Sequence, residues 1–337
     1  MTRVLFAALM ITTLTAGVTS AYVLQANSST TTVERDRAAS LYKSGKTEEA
    51  LIILKQVVKA NPTDDQAWLV MGLAQLQRQD VKGAAKSFET SLKLNSKLPL
   101  AHVGLSYTLL MRNKLSDAVR EAEIALGLNS HLENAHFVIG AARLRTGARQ
   151  DAVDHAEVAI KQNPQFAAAH LLKSQALVAF ISDALVGDKN EARDISKRRY
   201  AEAAAALEKY LQLSPAAPDR QTWAEQLESL RFYSGNKQGG DVVYRGSEVT
   251  TKAHVRSKPE PEYTAAALSN NVRGTVVLRG VFTADGKVKH LLILQSLPMG
   301  LTEVCIAAAH RIKFDPATLN GKPVSMYIQL EYNFDTH

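Results

Sequence analysis

The sequence predicts a multidomain chain, an all-α solenoid followed by a small α+β domain with a three-stranded antiparallel sheet and two helices. Three observations carry this reading. Alanines recur every 34 residues through the middle of the chain, a glycine-rich stretch interrupts it near Gly239-Gly240, and strand-like alternation around an Asp-Gly turn follows.

A length of 337 residues gives room for two or three domains, and 46% apolar with 22% charged content suits folded protein rather than disorder. The net charge of +7 is spread out, the densest cluster being Lys197-Arg198-Arg199. Scattered bases without a reading motif argue against nucleic acid and for a solvated basic surface. The single cysteine, Cys305, excludes an intrachain disulfide and falls on an apolar helix side, as a small buried hydrophobe would.

No charge occurs between Arg3 and Glu34, and residues 4–24 are mostly apolar, long enough for a membrane span. Arg3 favours an N-in orientation with the body exported. Thr19-Ser20-Ala21 and Leu24-Gln25-Ala26 are both acceptable cleavage sites, so residues 1–33 read either as a signal peptide or as a retained anchor. In both cases the expected location is the periplasm.

The solenoid is expected over residues 34–215. Ala50, Ala84, Ala118 and Ala152 share one phase; so do Asn61, Asn95, Asn129 and Asn163, and Gly72 with Gly140. Small residues at these positions let paired helices approach closely, and Asn ends each hairpin. The unit Trp68-x2-Met71-Gly72…Ala84-x3-Phe88 resembles the tetratricopeptide (TPR) signature. About five repeats are expected, the last carrying 17 extra polar residues at 181–197 that lengthen a hairpin or form a loop. Residues 216–233 read as a capping helix and 234–254 as a linker. His102, His136 and His170 also share the period, but equivalent positions on stacked hairpins lie ~10 Å apart. A zinc ion needs ligands at ~2 Å, so packing roles are expected and no metal or cofactor. An inner groove lined by Leu69, Leu73, Val103, Tyr107, Phe137, Arg145 and Leu171 is the expected docking surface. Its scarcity of cations argues against clamping an anionic peptide end.

Within residues 255–337, Pro261-Glu262-Tyr263 precedes a short helix, and Gly274 opens an apolar strand. Asp285-Gly286 signals a hairpin, commonly with positive φ at its central residues. A returning strand and an alanine-bearing helix (Ala307-Ala308-Ala309) follow, then Phe314-x-Pro316-Ala317, Gly321-x-Pro323-Val324 and a cleanly alternating last strand. This wording closely resembles the C-terminal domain of TonB-like energy transducers. The resemblance implies a non-enzymatic coupling module that takes an extended segment of an outer-membrane receptor beside a sheet edge. The edge is expected along residues 325–334, with Ser325, Tyr327, Gln329, Glu331 and Asn333 facing the partner and Arg311 and Lys313 flanking. A homodimer, other envelope proteins and an inner-membrane motor complex are the further partners it implies. Two departures argue for a scaffold without energy transduction: residues 4–24 contain no His, Asp or Glu, and ten prolines form no long spacer. No nucleophile elbow, paired-carboxylate or HExxH arrangement, or phosphate-binding glycine loop is present, so no enzyme is expected.

Overall fold

The computed structural model describes residues 26–183, 191–235, 242–269 and 272–335. The segment 4–24 and the first candidate cleavage site lie outside them, as does the second apart from Ala26. Two compact units divide at Lys173/Ser174.

In the first unit helices pair as antiparallel hairpins: α1 (Ala26–Lys43) with α2 (Thr47–Ala60), α3 (Asp65–Gln77) with α4 (Val81–Leu94), α5 (Pro99–Met111) with α6 (Leu115–Leu128), and α7 (Glu133–Arg145) with α8 (Arg149–Gln162). The periodic residues explain this. Asn61, Asn95, Asn129 and Asn163 are extended C-caps, and each Oδ1 accepts the backbone N–H two residues on, at 3.0–3.3 Å. This Asx turn redirects the chain into the next hairpin. Inside each hairpin the turn needs one left-handed residue, and Gly45, Gln79, Asn113 and Gly147 supply it with φ of 81°, 64°, 59° and 84°. Phe88 is fully buried between Gly72 and Gly104, where a Cβ would stand 2.6 and 2.3 Å from its ring. All residues from 101 to 110 are buried, so α5 is enclosed on every side.

The recurring aromatic position also has a structural role. Trp68 Nε1, His102 Nε2 and His170 Nε2 each donate to the carbonyl six residues earlier, those of Pro62, Ser96 and Pro164, at 2.9–3.1 Å. The ring thereby pins the turn between hairpins. His136 departs from this: its Nδ1 lies 3.0 Å from His155 Nδ1. Burial, then the charge of His155, holds His136 below the ordinary 6.5; burial, then Arg143, does the same to His155 against Asp151, Asp154 and Glu123. Depressed folded-state values mean the unfolded chain takes up protons first. The pair's contribution is therefore whole above pH 6.5 and is lost as pH falls through the folded values. Thermal melts between about pH 7.5 and 5.5 should show a falling midpoint, and His155→Leu should flatten that slope. An unchanged slope in the variant would remove the pair as its source.

In the second unit, α9 (Ala167–Asp183) ends, α10 (Glu191–Leu213) follows, and α11 (Arg220–Tyr233) packs on α10. With 17 and 23 residues, α9 and α10 are longer than the 13 and 14 of α7 and α8; of the expected insertion, residues 181–183 belong to α9, 191–197 belong to α10, and 184–190 lie outside the described residues. The sheet runs β1-β7-β3-β4, from β1 (Val243–Tyr244), β3 (Gly274–Phe282), β4 (Val288–Gln295) and β7 (Lys322–Phe334). β6 (Ala317–Leu319) forms a hairpin with the start of β7, and β2 (His254–Ser257) pairs with β5 (Lys313–Asp315). Helices α12 (Ala265–Ser269) and α13 (Leu301–His310) complete the two-helix set. Thr264 Oγ1 caps α12 by accepting from Ala267 N–H (3.1 Å).

Val276, Leu278, Leu330, Tyr332 and Phe334 meet Leu301, Cys305, Ala308 and Ala309 in one core. Cys305 is buried there, and burial pushes its thiol up to about 12.

Three details differ from expectation. The three-stranded sheet gains short strands, and β1 lies wholly inside the expected linker, where the β-branched Val243 and aromatic Tyr244 suit pairing. The Asp285 turn is a loop spanning 283–287, closed by Thr283 N–H to Lys287 O (2.9 Å), and of its residues only Gly286 has positive φ (78°). A bulge also interrupts β4 opposite β3. His290 takes φ 52° there, and its ring stacks on Phe232 at 3.9 Å.

Candidate functional site

A sheet edge binds through its unpaired N–H and C=O groups, so the site depends on which edges stay open. The outer side of β4 is covered by α11. Gln226 Nε2 and Ser229 Oγ both donate to the Leu291 carbonyl at 3.0 Å, Gln226 Oε1 accepts from Ile293 N–H at 3.0 Å, and Tyr233 OH donates to the His290 carbonyl at 3.2 Å. Spacings of three and four residues put these side chains on one helix face. The helix expected to cap the solenoid thus occupies a strand edge. Its aromatic end joins a cluster over the sheet, where Tyr233 lies 5.3 Å from Tyr200 and 6.0 Å from Tyr327, and Arg279 Nη1 donates to Tyr200 OH at 2.6 Å.

On the other side of the sheet, β7 pairs with β3 in unbroken register from Phe334↔Gly274 to Met326↔Phe282. β1 lies parallel on its opposite side at Ser325 and Met326. From Ile328 to Phe334 no further strand lies on that side among the described residues. Side chains alternate as expected: Tyr327, Gln329, Glu331 and Asn333 are exposed, whereas Leu330, Tyr332 and Phe334 are buried. The Glu331 carbonyl points away from β3, because it accepts from Lys258 Nζ at 2.8 Å. N–H and C=O of one strand residue share a side, so Gln329 and Asn333 aim theirs outward as well. On the exposed face Gln329 Nε2 donates to Glu331 Oε1 (2.9 Å), and Asn333 Oδ1 accepts from Thr275 (2.7 Å). Arg311 and Lys313 are exposed.

Ser325 corrects the expected edge. It is buried, pairs with Val243 of β1, and its Oγ accepts from Ala284 N–H at 3.1 Å, so a partner cannot use it as the structure stands. The expected groove needs correction too. Leu69, Leu73, Val103, Tyr107 and Leu171 are buried, and the first four belong to the repeat core. Periodicity alone does not separate core from groove on a helix enclosed all round. Phe137 is half-buried, 5.5 Å from Phe166, and Arg145 is exposed, its Nη1 donating to the Leu110 carbonyl at 2.7 Å.

Residues 259–336 match the family described as Gram-negative bacterial TonB protein C-terminal, and residues 35–99 and 70–132 match tetratricopeptide repeat. The chain thus carries tetratricopeptide repeats and a TonB-type C-terminal domain over those residues. Both kinds of domain are typically non-catalytic modules for protein–protein interaction. No curated protein matches the chain. Among solved structures, the one described as "Crystal structure of MamA protein" is 20% identical over 56% of this chain and 93% of that one, with a TM-score of 0.41. YrrB, described as "a TPR protein with an unusual peptide-binding site", is 16% identical over 59% and 97%, at 0.40. Pseudomonas aeruginosa pilF is 16% identical over 63% and 95%, at 0.44. No helix among the described residues is long and apolar enough to cross a membrane.

Proposed function

We propose that this chain is a non-enzymatic periplasmic coupling protein that takes an extended segment of an envelope partner, an outer-membrane receptor, as an added strand along β7. The TPR repeats serve as the docking scaffold. The observation that supports this most is the asymmetry of the sheet: α11 closes the β4 side, while Gln329, Glu331 and Asn333 face outward along β7. Each added main-chain hydrogen bond contributes about 0.5–1.5 kcal/mol net, and several in register give a grip that resists pulling.

The test is a photo-crosslinking residue at Asn333 in the full chain, expressed in a diderm bacterium. Capture of an outer-membrane receptor is expected. Gln329→Pro should abolish it while leaving the circular dichroism spectrum intact, because proline on an edge strand removes only an outward donor. Capture that survives the proline would mean side chains, not strand addition, hold the partner. A second reading, a scaffold without energy input, is favoured by the absence of His, Asp and Glu from residues 4–24. Intact mass decides between them: a mature chain beginning near Tyr22 or Asn27 would exclude an inner-membrane motor contact through that segment.

A further inference from the structure

Strand edges left open pair with other copies of the same chain, and proteins commonly blunt them with a lysine or with a covering segment. Here the chain supplies its own covers. Side chains of α11 cover β4, and β1 covers Ser325 and Met326. Among the described residues the stretch of β7 that remains is centred on Glu331, and its carbonyl is held by Lys258 across 73 positions of sequence.

We propose that Lys258 is the gatekeeper of this edge: its ammonium keeps a second copy from pairing along β7 and yields the Glu331 carbonyl to an incoming partner strand. The inference rests on the reading of β7 as the strand-addition edge. Geometry holds the ammonium in place twice over, by the 2.8 Å bond to the carbonyl and by its position 4.4 Å from the centre of the Tyr332 ring. Tyr332 is buried in the sheet core, so the ring is a fixed platform. The backbone that carries Lys258 cannot itself add as a strand, since Pro259 and Pro261 have no N–H to give. A lysine on a flexible stem therefore blocks the edge reversibly, where a paired strand would block it for good.

The experiment is sedimentation velocity of the full chain, comparing Lys258→Ala and Lys258→Arg with the unaltered protein, each also carrying Glu331→Cys, the position that faces itself when two copies pair antiparallel along this stretch. Lys258→Ala is expected to self-associate at concentrations about tenfold or more lower, the factor a charge-assisted hydrogen bond carries. It should also form a disulfide-linked dimer through position 331. Lys258→Arg keeps a donor and should stay as the unaltered protein. A folded Lys258→Ala chain that associates no more than the parent overturns the proposal, as does association without the linked dimer. If that variant fails to fold, Lys258→Met, which keeps the stem against Tyr332, decides on the same criteria. Failure of receptor capture at Asn333 would remove the partner reading while leaving a Lys258-dependent dimer intact, so the two failures are distinguishable.

Discussion

Replacing Phe88 with alanine is expected to destabilise the repeat unit by about 3–5 kcal/mol, read as a lower urea midpoint at unchanged slope. The ring is fully buried. It fills the space that Gly72 and Gly104 leave by having no side chain, and so links α4 to the first helix of its own hairpin and of the next. In a stack of hairpins each unit is stabilised mainly by its neighbours, so a cavity here weakens two interfaces at once. The opposite error is also informative. Gly104→Ala would place a methyl 2.3 Å from the ring and force a shift costing about 1–3 kcal/mol. Combining the two should cost less than the sum, since each relieves part of the other's misfit. Strict additivity would mean that the ring and the glycine are not in contact.

The repeat architecture was legible because its punctuation is chemical. Asn61, Asn95, Asn129 and Asn163 each make the same side-chain turn, and only a few residue types can make it. The left-handed position inside each hairpin was harder to read. It repeats as faithfully, but Gln79 and Asn113 stand where Gly45 and Gly147 advertise it, and glutamine carries no turn signal.

The C-terminal core was likewise legible from alternation: the residues of β7 fall in and out as its pattern demands. What could not be read was the fate of the edges. Two residues of β1 inside an expected linker leave no periodic trace, and Lys258 reaches Glu331 from a segment without regular structure. The groove residues failed for a related reason: period tells which helix face is apolar, not whether anything covers it.

The covered β4 edge gives the second large effect. Gln226 is buried, and its amide does two opposite jobs, donating to the Leu291 carbonyl and accepting from the Ile293 N–H. Gln226→Ala removes both partners; Ser229 still reaches Leu291, but Ile293 loses its acceptor. A buried backbone donor left unpaired costs about 1–3 kcal/mol, so the thermal midpoint should fall and hydrogen exchange at Ile293 should rise selectively. Gln226→Glu is the sharper test. A carboxylate can still accept from Ile293, yet its second oxygen faces the Leu291 carbonyl, and the site now holds a buried charge. It should therefore rescue nothing and destabilise more than alanine does. A glutamate variant as stable as the parent would show that the helix packs on β4 without needing these bonds. The edge would then be shielded by shape alone, and no hydrogen bonding would confine strand addition to β7.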